Sequence, residues 1–260
     1  MITLYLEAPF AASRTFTAGW YRPTAGFLNP STAYGLLLNI AGIESRLREE
    51  DHAHDGSAPT SLIRPGLPEA DLAIGVPAAA SLTERFPRVQ SIYQQLHNYP
   101  VGGSGKERAE SCRGNKYNIT PVRREFLSDV KAIITLSAAP EFESRIRSGL
   151  RGEFNEGRYG IPFLGENAFL LDRLDEICQP VLVQWLERLT PGDGGTRDHT
   201  TRLTIQIDRA DLSKTRSDLF APGTESLSNE PATNAWVRIE SIVATPPTQQ
   251  KQKTLRKPTQ

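Results

Sequence analysis

Hydrophobic and polar positions alternate at the start of the chain, with Ile2, Leu4 and Leu6 on one side and Thr3, Tyr5 and Glu7 on the other. A period of two is that of a half-buried strand. The spacing then becomes helical: Tyr34, Leu37, Leu38 and Ala41 recur behind Asn29-Pro30-Ser31-Thr32. Two starts fit this helix, with Asn29 as the cap and Pro30 in the first turn, or with Ser31 as the cap. The pattern carries the helix through Gly42 toward Arg48. Leu72, Ile74 and Val76 alternate as a second strand. Val89–Asn98 and Lys116–Arg124 read as strands flanking Val101-Gly102-Gly103-Ser104-Gly105, a long hairpin with a flexible tip. Val130–Leu136 reads as a buried strand, and Glu141–Leu150 as a short helix with Phe142, Ile146 and Leu150 on one face. A glycine-bracketed loop, Gly157–Gly165, leads into Ala168–Leu174. Val181–Leu189 fits strand or helix, and Arg202–Ile207 and Ala235–Val243 alternate as strands.

With the hairpin set aside, the order is strand, helix, strand, strand, helix, strand. That is the split βαβ order of an α+β, ferredoxin-like (RRM-like) domain. RNA-recognition modules share it and bind RNA on the open sheet face. The expected organisation is residues 1–174 as the ferredoxin-like domain, with a β-hairpin thumb inserted at about 85–125. Residues 175–245 form a mostly β C-terminal extension packed on it. Residues 246–260 form a tail with four basic residues and no acid, expected to be disordered.

Composition changes this picture little. Thirty basic residues balance thirty acidic ones among 260, so overall charge gives no reason to invoke nucleic acid. Two cysteines, Cys112 and Cys178, make neither a disulfide framework nor a metal knuckle. Cys178 reads as core, and Cys112 sits among basic residues as a candidate reactive thiol. The opening residues carry neither a basic segment nor a long apolar run, so a cytoplasmic protein without membrane attachment is expected.

Local charge changes the picture more. Between Arg85 and Glu125 eight basic residues stand against three acidic ones, with Tyr93, Tyr99 and Tyr117 interleaved. Arginine forks grip phosphates and stack on bases, and aromatic rings stack bases, so such a finger suits single-stranded RNA. The loop before the first helix holds Arg14, Tyr21 and Arg22 in the same mixture. A helix start offers free N–H groups to a phosphate, so Ser31 and Thr32 can cap the helix and bind an anion together. Tyr93, His97 and Lys116 are residue types for metal-free RNA cleavage, in which a general base activates a ribose hydroxyl. The preferred role of His97 is plainer: one pairing residue of a strand, beside Gln95 and Asn98. Asp51-His52-Ala53-His54-Asp55 lacks a third ligand in firm secondary structure, so neither a metal nor another cofactor is expected.

Leu6-Glu7-Ala8-Pro9-Phe10-Ala11-Ala12-Ser13-Arg14 and Asn29-Pro30-Ser31-Thr32-Ala33-Tyr34-Gly35 resemble the opening of the CRISPR-associated family numbered five ("Cas five"). Ile92–Tyr99 with Arg123–Leu127 resembles that family's two thumb arms, and Arg158–Gly165 its second glycine-containing RNA loop. The match runs roughly from Ile2 to Leu174 and points toward the branch near subtype I-B. The resemblance implies a non-catalytic subunit of a type I Cascade complex that caps the five-prime handle of the crRNA. Its implied partners are the crRNA, the backbone subunit, the large PAM-reading subunit and, indirectly, target DNA. The implied RNA contacts are Arg14, Tyr21, Arg22, Ser31, Thr32, Arg88, Tyr93, Gln95, His97, Asn98, Lys116, Arg123, Arg124, Arg158, Tyr159 and Gly165. In some subtypes this family also cuts the repeat RNA, with His97, Tyr93 and Lys116 here as the matching candidates.

Overall fold

The two-residue period at the start of the chain becomes β1 (Ile2–Ala11), and Ile2, Leu4, Leu6 and Ala8 are buried. The computed structural model describes residues 1–15, 21–47, 62–78, 86–98, 118–155, 157–190, 198–209 and 211–241, with residues 95–98 and 118–121 by their backbone alone. After β1 come β2 (Tyr21–Arg22), α1 (Pro30–Ile40), β3 (Ala70–Pro77), β4 (Arg88–Asn98) and β5 (Asn118–Ala138). Then follow α2 (Pro140–Leu150), β6 (Arg173–Glu176), β7 (Leu182–Arg188), β8 (Thr201–Gln206), β9 (Arg216–Leu227) and β10 (Val237–Ile239). The fold is α+β, with one mostly antiparallel sheet in the order β6-β1-β5-β3-β7-β9-β8. β10 pairs with β3, and β2 and β4 pair with β5.

β5 departs most from the sequence reading. The second thumb arm and the buried strand Val130–Leu136 are one strand of 21 residues, roughly 70 Å of extended chain. Its C-terminal part lies between β1 and β3, while its N-terminal part pairs with all of β4. The break in alternation that separates the two halves in sequence has a local cause. On β1 the buried positions step from Ala8 to Ala11, and on β5 from Val130 to Leu127. Ala8 pairs with Val130 and Ala11 with Leu127, so both strands slip phase at the same rung. Pro9 there has no N–H to donate, and Asp129 adopts φ +58°.

α1 begins at Asn29, with Pro30 in its first turn, but the Asn29 side chain does not cap the helix. Its Nδ2 donates to the Arg14 carbonyl at 3.1 Å, its Oδ1 accepts from the Thr204 N–H at 3.0 Å, and its own N–H donates to Ser13 Oγ at 3.0 Å. Asn29→Ala leaves the Thr204 N–H and the Arg14 carbonyl unpaired in a buried place. It is expected to cost about 2–4 kcal/mol in chemical denaturation. The helix ends at Ile40, short of the expected Arg48. Gly42 takes φ +68°, and the N–H groups of Gly42 and Ile43 return to the Asn39 and Leu38 carbonyls in a Schellman turn.

α1 and α2 contribute Leu37, Ile40, Phe142 and Ile146 to the main core, together with the inward positions of β1, β3 and β5. The opposite face carries a smaller cluster of Ala73, Ile133, Val183, Trp185 and Ala235. Asn29 bonds to β8, and Leu203 and Ile205 join the main core, so the far side of the sheet curls over α1. Three further readings change. β9 falls inside the expected β extension, but no strand was placed at its position. The strand expected at Ala235–Val243 narrows to Val237–Ile239, and the segment Ala168–Leu174, given no element in sequence, leads into the strand Arg173–Glu176. Cys178 is exposed rather than core, because it follows the edge strand β6 in the turn toward β7. Cys112, His52, His54, the hairpin tip and the basic tail lie outside the described residues.

Candidate nucleic-acid interface

Five of the residues selected from sequence come together around one cavity of about 340 Å³ at the N-terminal end of α1: Arg14, Ser31, Thr32, Tyr159 and Gly165. They come from three distant segments. Backbone pairing holds the first two in register: Arg14 bridges Thr24, and the Ala25 N–H donates to the Ser13 carbonyl at 2.7 Å. The third segment docks where the Ala12 N–H donates to the Leu164 carbonyl at 3.0 Å. Gly165 follows at φ +77°, and a Cβ there would lie 1.9 Å from the Ala12 carbonyl oxygen. Only glycine fits this position, so Gly165 holds the loop in place. Tyr159 is 44% exposed, and the Arg46 guanidinium lies 5.8 Å from its ring centre.

A second group forms a row across three strands. Arg123 of β5 pairs in register with Tyr21 of β2 on one side and Tyr93 of β4 on the other. Residues opposite one another share a face of the sheet. The Arg123 guanidinium lies 5.4 Å from the Tyr21 ring centre, and its Nε donates to Ser91 Oγ at 2.9 Å. The Tyr21 hydroxyl donates to Glu125 Oε1 at 2.6 Å, and this bond raises the Tyr21 phenol above its ordinary value. Tyr93 is 76% exposed, so its ring is open to a stacking partner. The next rung, Arg22 with Arg124, points to the other face.

Glu166 ties the cavity to the face of β5 opposite the row. Its Oε1 accepts from both Arg14 and Arg124, and Arg124 also donates to Gln94. Two guanidinium groups thus share one carboxylate, which leaves one positive charge and positions both forks. Nothing in the sequence marks Glu166, which follows Gly165 in an irregular loop. Sequence reasoning also missed Asn39 and Arg209, which line the cavity. Asn39 reads as an ordinary helix position, and Arg209 lies 169 residues beyond the end of α1 at Ile40 in a segment with no local link to it.

The structure leaves other selected residues apart from the cavity. Arg158 turns toward the Gly149 carbonyl. Arg88 pairs with Ser128 and lines a different hollow beside Phe86 and His199, whose rings stack at 4.1 Å. Gln95, His97 and Asn98 pair in register with Pro121, Ile119 and Asn118. Lys116 lies outside the described residues, and His97 is described by its backbone alone. Among the described residues no group of three or more potential metal ligands occurs, and no helix is long and apolar enough to cross a membrane.

No protein-family model matches the chain, and no curated protein matches it. Solved structures do. A chain described as "CRISPR RNA-guided surveillance complex" is similar with a TM-score of 0.50 and 18% identity, over 90% of this chain and 95% of that one. A second, described as "Crystal structure of Cas protein", has a TM-score of 0.41 and 14% identity over 87% and 94%. At 18% identity the likeness to the first is one of fold.

Proposed function

We propose that this chain is a non-catalytic RNA-binding subunit of a type I CRISPR surveillance complex, holding the five-prime handle of the crRNA. The observation that carries this reading is the convergence of Arg14, Ser31, Thr32, Tyr159 and Gly165 on one cavity, and the row of Tyr21, Arg123 and Tyr93 across β2, β5 and β4 adds to it. The fold likeness to a chain of an RNA-guided surveillance complex supports it. The order β6-β1-β5-β3 supports a ferredoxin-like centre, since it is the antiparallel 4-1-3-2 order of a split βαβ domain with β1 and β5 as its middle pair. The arms β4 and β5 then serve as the thumb of a Cas five subunit near subtype I-B. They project toward the backbone subunit, while the large PAM-reading subunit sits against the same assembly in the cytoplasm.

The test is binding of the purified chain to repeat-derived RNA by gel shift, with duplex DNA of the same sequence as the control. RNA binding is expected to be at least tenfold tighter and to weaken steeply with salt. Equal affinity for the two would sink the reading. Incubation of the same RNA with the protein in EDTA is expected to leave it uncut, and specific cleavage lost in His97→Ala would replace this function with an endoribonuclease.

A further inference from the structure

The cavity beside α1 holds a buried acceptor that the fold itself does not use. Asn39 is 5% exposed and lines the cavity. Its Nδ2 donates to the Gly160 carbonyl at 3.1 Å, which fixes the amide orientation, because the reverse would set oxygen against oxygen. Its Oδ1 then finds no partner among the described residues. A buried acceptor left unpaired is costly, and such exceptions mark places where a ligand or water completes the bonding.

The surroundings say which ligand. Ser31, Gly35 and Asn39 succeed one another at i, i+4 and i+8 on one stripe of α1, and a Cβ built on Gly35 meets nothing within 4 Å. The glycine therefore leaves the cavity open along the helix. Its walls include the apolar Leu38, Ile63 and Ile205, and among its exposed lining residues two cations, Arg14 and Arg209, stand against one carboxylate, Glu240. The helix start at Ser31 and Thr32 lies on the same cavity. About 340 Å³ is within the range of small-ligand sites. An apolar slot with one buried acceptor at depth and cations at its mouth matches one unstacked nucleotide, base inward and phosphate outward.

We propose that this cavity is a nucleobase pocket, in which Asn39 Oδ1 accepts from the exocyclic amine of a single flipped-out base. The inference rests on the RNA-binding reading above and gives that site a specificity-determining residue. The experiment is an abasic scan of the bound RNA, one position at a time, against wild type and Gly35→Leu. The leucine fills the pocket from a position with free space, and Gly35→Ala gives a graded variant. Thermal melts of both are expected to match or exceed wild type.

In wild type one abasic position is expected to cost about tenfold in affinity, and in Gly35→Leu that same position is expected to cost nothing. Removing only the exocyclic amine of that base is expected to weaken wild type roughly fivefold and to leave Asn39→Leu unaffected. If every abasic penalty is the same in wild type and Gly35→Leu, the pocket is not a base site, even though an RNA interface at Arg14 and Arg124 still stands. If wild type binds no RNA at all, both the pocket and the function fall.

Discussion

Arg14→Ala/Arg124→Ala is expected to weaken RNA binding by roughly 10- to 100-fold and to flatten the dependence of log affinity on log salt by about 1.4. The two arginines reach Glu166 from strand segments more than a hundred residues apart. A carboxylate already sits between their forks, which is the geometry in which arginine holds a phosphate oxygen. Each phosphate released from a single strand accounts for about 0.7 of slope, so losing two gives the stated change. Paired lysine substitutions keep the charge and lose the fork. They are expected to retain the slope and recover only part of the affinity. Arg124 is only 15% exposed at its side chain, so a melt of the double variant must accompany the binding curve. Equal affinity and equal slope for the folded double variant and wild type would remove these residues from the interface.

The largest effect on stability is expected at Gly165. Gly165→Ala places a methyl carbon 1.9 Å from the Ala12 carbonyl oxygen and forces a side chain into φ +77°. The strand end and the loop cannot both stay in place, so the loop from Gly157 to Leu171 must lift. The cost is about 3 kcal/mol or more, a fall in melting temperature of roughly 6–12 °C. Because Glu166 and Tyr159 ride on the same loop, RNA affinity is expected to fall together with stability. Limited proteolysis separates a lifted loop from global unfolding. New cleavage confined to residues 157–171, with the rest of the chain protected, is the expected pattern. A melt within 1 °C of wild type would show that the close approach does not constrain the loop.

The alternating and helical periods in sequence were enough for β1, α1, β3 and α2, because each of these buries one face and repeats it over several residues, whereas the first hairpin arm, exposed from Arg88 to Gln94, was legible by its residue types. Legibility stopped where burial is not periodic. β5 runs unbroken through a phase slip at Asp129 that reads in sequence as a gap between strands. β9 mixes buried and exposed positions without a clear period, and its place is set by β7 and β8 rather than by its own pattern.

The candidate site divides along the same line. Residue types and local clustering made Arg14, Ser31, Thr32, Arg123 and Tyr93 candidates, because arginine, tyrosine and a helix start carry their chemistry with them, and the family resemblance selected them. Their assembly depends on long-range pairing. The row of Tyr21, Arg123 and Tyr93 exists because a two-residue strand adds to β5 in parallel beside the antiparallel arm β4. The cavity exists because the sheet curls until β8 bonds to Asn29, bringing Arg209 and Ile205 over the face of α1 that Asn39 occupies. Glu166 and Asn39 look ordinary in sequence, since a carboxylate between two arginines and an acceptor without a donor are properties of neighbours. The chain by itself determined which groups are available, and the tertiary fold decided which of them share one site, because only packing across distant segments sets the distances at which charges and hydrogen bonds act.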